Sequence, residues 1–135
     1  METTIQKPGG QRTILIIEDE QTLRTMYSRK LSAAGFSVIE AVDGVAGLAL
    51  ALQSEPDLIL LDMRMPNMNG FEMLKRLRTK NEWGSHVPVI FLTNTKLDSD
   101  AEVADIESTE PAHYLIKSNT DLNELVDKIQ DLLQK

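Results

Sequence analysis

Glu18, Asp19, Asp62, Thr93 and Lys117 each stand at the end of a short apolar run, and their side chains suit one site built around a phosphoryl group. Thr13–Ile17 runs into Glu18, Asp19 and Glu20, Leu58–Leu61 into Asp62, Val89–Leu92 into Thr93, and Tyr114–Ile116 into Lys117. Carboxylates a few ångströms apart repel by a few kcal/mol at an effective dielectric of about 20, so such a cluster persists when a cation joins it. Oxygen donors without His or Cys select a hard ion, and Mg²⁺ takes one or two carboxylates while keeping positions for water and phosphate oxygens. Lys117 supplies a compact positive charge and Thr93 a hydroxyl donor for the equatorial oxygens of a phosphoryl group. A carboxylate nucleophile forms an aspartyl-phosphate. Asp62 is the candidate, because it leaves the most continuously apolar run, which is expected at the centre of the sheet.

The elements that must position these groups follow from the hydrophobic periodicity. Nearly continuous apolar runs at Thr13–Ile17, Leu58–Leu61, Val89–Leu92 and Ala112–Ile116, with a shorter one at Ser37–Ala41, are expected of parallel strands covered on both faces. Between them lie helical spacings: Leu23, Met26, Tyr27, Leu31 and Ala34, closed by Gly35; Val45, Leu48 and Leu52 turned inward behind an Asp43 cap and closed by Pro56; Phe71, Leu74 and Leu77 after a loop of Pro66, Asn67, Asn69 and Gly70. Asp98–Ser108 predicts a weak helix. Leu122, Leu125, Val126, Ile129, Leu132 and Leu133 form the clearest apolar stripe, with Asp121 and Glu124 as a capping pair. Alternating strands and helices mean a parallel sheet sandwiched by helices, and ligands then sit outside the carboxyl ends of the strands.

At 135 residues the chain is expected to hold one folded domain, residues 13–135, preceded by a disordered tail over residues 1–12, METTIQKPGGQR. A net charge of −7 argues against a nucleic-acid surface and against an anionic membrane. The absence of cysteine excludes disulfides, thiolate metal sites and a cysteine nucleophile. The tail has no apolar stretch of a signal peptide and no run reaches membrane-spanning length, so the expected location is the cytoplasm.

Four segments, ILIIEDEQTLR, LILLDMRMPNMNGFEML, PVIFLTN and YLIKS, occur in an order and spacing that resemble the receiver domain of bacterial response regulators in two-component signalling, over residues 13–134. The resemblance implies an α/β, flavodoxin-like, doubly wound (βα)5 fold with a five-stranded parallel sheet in the order 2-1-3-4-5. It implies that Asp62 accepts phosphate from a phosphohistidine on a sensor histidine kinase or phosphotransfer protein. Asp19 and Asp62 would bind Mg²⁺ with the backbone carbonyl of Arg64, and Glu18 would act through water. Thr93 and Lys117 would hold the phosphoryl oxygens, and Tyr114 would turn inward as Thr93 moves. The output would be a protein-interaction face for a downstream target. The chain would be no enzyme beyond catalysing its own phosphorylation and dephosphorylation, and it reads as a stand-alone receiver.

Some residues depart from the family's habit. Ser118 follows Lys117 where proline is common, Glu18 stands for a more usual Asp, Asn94 for a small residue, and Glu110-Pro111 for Gly-Ala. Other readings remain. A degenerate receiver would bind partners without phosphorylation. An aspartate-nucleophile phosphatase would want a second acid where Arg64 stands. A flavin carrier would want a Ser/Thr/Gly-rich loop where Glu18-Asp19-Glu20 stands. Singly, Asp19 or Glu20 would merely cap a helix. His86 and His113 are expected at the surface, and Trp83 over an edge of the core.

Overall fold

Nearly uninterrupted apolar strands need helices on both faces, and that is the architecture. The computed structural model describes residues 11–63, 65, 67–93, 112–116 and 121–134. In chain order the elements are β1 (Thr13–Ile17), α1 (Gln21–Ala33), β2 (Ser37–Ala41), α2 (Gly44–Ser54), β3 (Leu58–Asp62), α3 (Gly70–Arg78), α4 (Glu82–His86), β4 (Val89–Thr93), β5 (Ala112–Ile116) and α5 (Leu122–Leu133). The five strands form one parallel sheet in the order β2-β1-β3-β4-β5, as expected, with β3 at its centre. The expected helix at Asp98–Ser108, with Asn94, Glu110-Pro111 and Ser118, lies outside the described residues. Among the described residues, no helix is long and apolar enough to cross a membrane.

The pleat divides each central strand between two cores. Leu15 and Ile17, Ile59 and Leu61, and Val89 and Phe91 face one cluster, closed by Ala51 of α2 and Met73, Leu74 and Leu77 of α3. Ile14 and Ile16, Leu58 and Leu60, and Ile90 and Leu92 face the other, closed by Tyr27 and Leu31 of α1 and Leu125, Val126 and Ile129 of α5. All of these central-strand side chains are buried. Each is worth roughly 1.5–3 kcal/mol relative to exposure.

Local signals end the helices as expected. Gly35, at φ 99°, turns the chain out of α1 in a conformation that costs a side-chain-bearing residue dearly. Asp43 accepts the Ala46 amide at 2.8 Å, and Asp121 accepts the amides of Asn123 at 2.6 Å and Glu124 at 3.0 Å. Such caps are worth about 1 kcal/mol each.

The helix faces differ from the sequence reading in three places. Val45 does not turn inward but is 53% exposed; α2 seats Gly44, Gly47 and Ala51 instead, with Leu48 and Leu52 only partly buried. Its sequence, GVAGLALALQS, is apolar nearly all round, so periodicity could not choose a face. Met26 is likewise 40% exposed, while Tyr27 and Leu31 carry the packing of α1. In α3 the deepest residues are Met73, Leu74 and Leu77; Phe71 is half-buried against the Phe91 ring, centroids 5.1 Å apart. Trp83 does border the core, but from within the short helix α4, capped by Asn81, which periodicity does not signal. His86 is exposed and His113 is intermediate.

Candidate functional site

Parallel register places the acids side by side. Ile17 of β1 is paired with Leu61 of β3, so the next residues, Glu18 and Asp62, emerge together at the carboxyl edge of the sheet. One carboxylate oxygen from each of Glu18, Asp19 and Asp62 lies within 4.8 Å of the others. Glu18 is 1% exposed and Asp62 4%, whereas Asp19 is open to solvent. Two buried acids and one at the mouth make a pocket with an inner wall and a solvent-facing lip.

The backbone around Glu18 is held from several sides. Its N–H donates to the Ala41 carbonyl at the end of β2, 3.1 Å away. Its carboxylate oxygen Oε2 accepts the Glu20 N–H at 3.1 Å. Its carbonyl accepts Nη1 of Arg24 at 2.8 Å, and Nε of Arg24 donates to Glu40 at 3.1 Å. Glu20 is the N-cap of α1 yet makes no side-chain capping bond, so the acidic run is not explained as a helix cap.

Asp62 is held by the close approach of α3. The Gly70 N–H donates to Met63 O at 2.9 Å, and Met63 N–H donates to Leu92 O at 3.2 Å. Asn69 caps α3 through the Glu72 amide at 2.9 Å. Asn67, at φ 71°, donates to Asp43 at 3.2 Å and ties the loop to the start of α2.

Tyr27, 5% exposed in the core on the α1 side, lies near enough to the acids to feel their charge. Burial raises its phenol pKa to about 12, and the charges of Glu18, Asp62 and Glu20 push the same way. The hydroxyl therefore stays protonated at any neutral pH.

Of the residues expected at the site, Glu18, Asp19 and Asp62 are brought together. Thr93 closes β4 in register with Ile116, and Tyr114 is paired with Phe91; in both, the backbone is described and the side chain is not. Lys117 and Arg64 lie outside the described residues. Sequence reasoning missed Arg24, Glu40 and the close approach of Gly70 to Asp62, and it placed Tyr27 on the inner stripe of α1 without linking it to the acids. Arg24 and Tyr27 follow the acidic run within the first two turns of α1, a spacing that could have flagged them. Glu40 gave a fainter signal, the one charge in a short strand.

The donor set fits a hard divalent cation. All three donors are carboxylate oxygens, and the pocket is open on the Asp19 side, leaving room for water or phosphate oxygens as Mg²⁺ requires. Thiolate and imidazole ligands, which softer ions prefer, are missing from the cluster.

Comparison with known proteins agrees with this geometry. The family model of the response regulator receiver domain matches residues 14–130. The chain is similar to the DNA-binding dual master transcriptional regulator RpaA of Synechocystis, 35% identical over 90% of this chain and 49% of that protein. It is similar to the Regulator of RpoS of Escherichia coli, 34% identical over 88% of this chain and 34% of that protein. The chain thus spans half or less of the length of these relatives. Among solved structures it resembles the chemotaxis protein CheY4 of Vibrio cholerae, with TM-score 0.81 and 28% identity over 90% of this chain and 98% of that one. It also resembles the receiver domain of the sensor histidine kinase PA1611 of Pseudomonas aeruginosa, with TM-score 0.82 and 28% identity over 93% and 99%. That structure holds a magnesium ion in its active-site cleft.

Proposed function

The chain belongs to the response regulator receiver family, the signalling modules of two-component systems, and from that premise we propose that Asp62 is its phosphoacceptor. The observation that carries the proposal is the meeting of Glu18, Asp19 and Asp62 within 4.8 Å at the carboxyl ends of β1 and β3. The donor is a phosphohistidine on a sensor histidine kinase or a phosphotransfer protein. An Asp62 oxygen forms the new O–P bond as the P–N bond breaks, and the electron pair returns to the partner's imidazole. Bound at the acid cluster, Mg²⁺ would neutralise charge on the acids and on the equatorial phosphoryl oxygens. Asp19 and Asp62 would hold it with the Arg64 carbonyl, and Glu18 would act through water. Thr93 donates its hydroxyl to one phosphoryl oxygen and Lys117 its ammonium to another. Burial of Glu18 and Asp62 lowers the local dielectric on the inner side of the cluster, where such contacts count for more than in bulk water.

The new phosphoryl contacts favour one of two packings of the segment between β4 and β5, together with Tyr114, and so change an interaction face for a downstream protein. Phosphorylation of Asp62, and its loss by hydrolysis, are the only chemistry the chain performs in this reading. The cytoplasm is its location, and protein contact rather than nucleic acid or membrane is its mode of output.

Incubation with Mg²⁺ and acetyl phosphate, followed by intact-mass measurement, tests this. One added phosphoryl group is expected, absent in Asp62→Asn and in samples with chelator. If neither acetyl phosphate nor a phosphorylated kinase adds mass to the wild-type chain, it is a phosphorylation-independent binding module instead.

A further inference from the structure

Asp19 is the exposed member of the acid cluster, and no described residue gives its side chain a hydrogen bond or ion pair. Among the described residues, what directs its carboxylate into the cluster is the backbone on which it sits. Glu18 is oriented through its buried side chain and its N–H bond to β2, and Asp62 by the strand that it ends. The Glu18–Asp19 peptide is held at its carbonyl by Nη1 of Arg24, 2.8 Å away. Arg24 is in turn fixed by Glu40, whose Oε1 accepts Nε at 3.1 Å. The Arg24 side chain is only 14% exposed, so its fork is not a loose surface contact, whereas Glu40 is 42% exposed. Glu40 lies opposite Ile16 in the register, two positions below Glu18. A chain of contacts thus runs from the outer strand β2 through α1 to the peptide that aims Asp19.

We propose that Arg24 is a positioning residue of the metal pocket, a clamp braced by Glu40 that sets the direction of Asp19. The inference rests on the reading of the acid cluster as a Mg²⁺ site and adds the residues that pre-organise it. Arginine suits the task because its planar fork donates in two directions at once, to a carboxylate from Nε and to a carbonyl from Nη1; a lysine has one ammonium to offer. The role is not electrostatic attraction of the ion, since a guanidinium near the pocket repels a cation. Loss of the charge alone would tighten binding, and loss of the clamp would weaken it.

The test is Mg²⁺ affinity by titration calorimetry on the intact chain, for wild type, Arg24→Lys, Glu40→Gln and the double variant. Arg24→Lys keeps the charge and loses the fork, and should weaken Mg²⁺ binding roughly tenfold, the scale on which residues that orient metal ligands act. Glu40→Gln should weaken it by about threefold, as befits a half-exposed brace. The double variant should match Arg24→Lys alone, because the brace acts only through the arginine. Amide hydrogen exchange without metal gives a second readout: the Glu20 N–H, bonded to the Glu18 carboxylate, should exchange faster in Arg24→Lys, with the Leu60 amide of β3 unchanged. Equal affinities in wild type and Arg24→Lys would overturn the clamp while leaving the metal site standing. A wild-type chain that binds no Mg²⁺ would overturn the site and the clamp together.

Discussion

Gly70 stands against the backbone of Asp62: a Cβ built on it would lie 2.6 Å from the Asp62 carbonyl oxygen and 3.0 Å from Met63 Cα. The neighbours it would strike are main chain, which cannot swing aside. Helix α3 therefore begins where a residue without a side chain lets it close on the end of β3, and Asp62, the proposed acceptor, is seated by that contact.

Gly70→Ala should accordingly cost about 1–3 kcal/mol of stability, the usual penalty of overpacking, and should slow phosphoryl addition from acetyl phosphate by displacing Asp62. Urea unfolding and timed intact-mass measurement check the two effects. Unchanged values in both would mean that α3 can retreat without disturbing the site.

Asp19→Asn should weaken Mg²⁺ binding at least tenfold, on the order seen when a positioned metal contact is lost, while raising metal-free stability, since it removes one of three carboxylates that repel one another in the absence of a cation. In wild type, saturating Mg²⁺ should raise the thermal midpoint, because a ligand that binds only the folded state stabilises it by mass action. Thermal melts with and without Mg²⁺ separate these effects, and a midpoint gain of wild-type size in Asp19→Asn would remove Asp19 from the ligand set.

Lys117→Ala should leave Mg²⁺ affinity largely intact and impair switching, because in the proposed role the ammonium would hold the phosphoryl group and not the ion. The readout is Mg²⁺ calorimetry beside amide chemical shifts of the phosphorylated chain. Complete loss of Mg²⁺ binding in this variant would contradict the assignment of roles.

Tyr27 should make the fold alkali-sensitive in a defined window. Its pKa rises on folding from 10.0 to about 12, through burial first and then through Glu18, Asp62 and Glu20. Below the unfolded value both states keep the proton and stability is unaffected. Between the two values the unfolded chain releases a proton that the folded chain retains, so stability falls as pH rises and is lost progressively toward the folded value. Tyr27 and Tyr114 are the two tyrosines of the chain, so Tyr114→Phe leaves Tyr27 alone to report. Phenolate absorbance in that variant should appear late and together with unfolding; ionisation near 10 in the native protein would place the phenol in water.

The central strands were legible because β1, β3 and β4 are nearly unbroken apolar runs, the signature of burial on both faces, and the runs at 13–17, 37–41 and 112–116 match the observed strands. Caps at Asp43 and Asp121 were legible because the interaction is local, between a side chain and an amide two or three residues away. The direction of α2 was not, since nearly every residue of GVAGLALALQS is apolar or small; Gly47 and Ala51 face inward where the sheet comes closest. Helix α4 was not, because five residues are too few for a period.

The amino-acid sequence by itself determined the chemistry available: acids, a hydroxyl and an ammonium at the ends of apolar runs, with a doubly wound sheet to gather them at one edge. These follow from residue type and one-dimensional spacing, which physics reads locally. Only the tertiary structure decided that Glu18 and Asp62 are buried while Asp19 lies open, that Arg24 and Glu40 brace the acidic peptide, that Tyr27 feels the charge of the pair, and that Gly70 admits the backbone of Asp62. Each of those depends on how far one element stands from another, a distance set by the packing of the whole core.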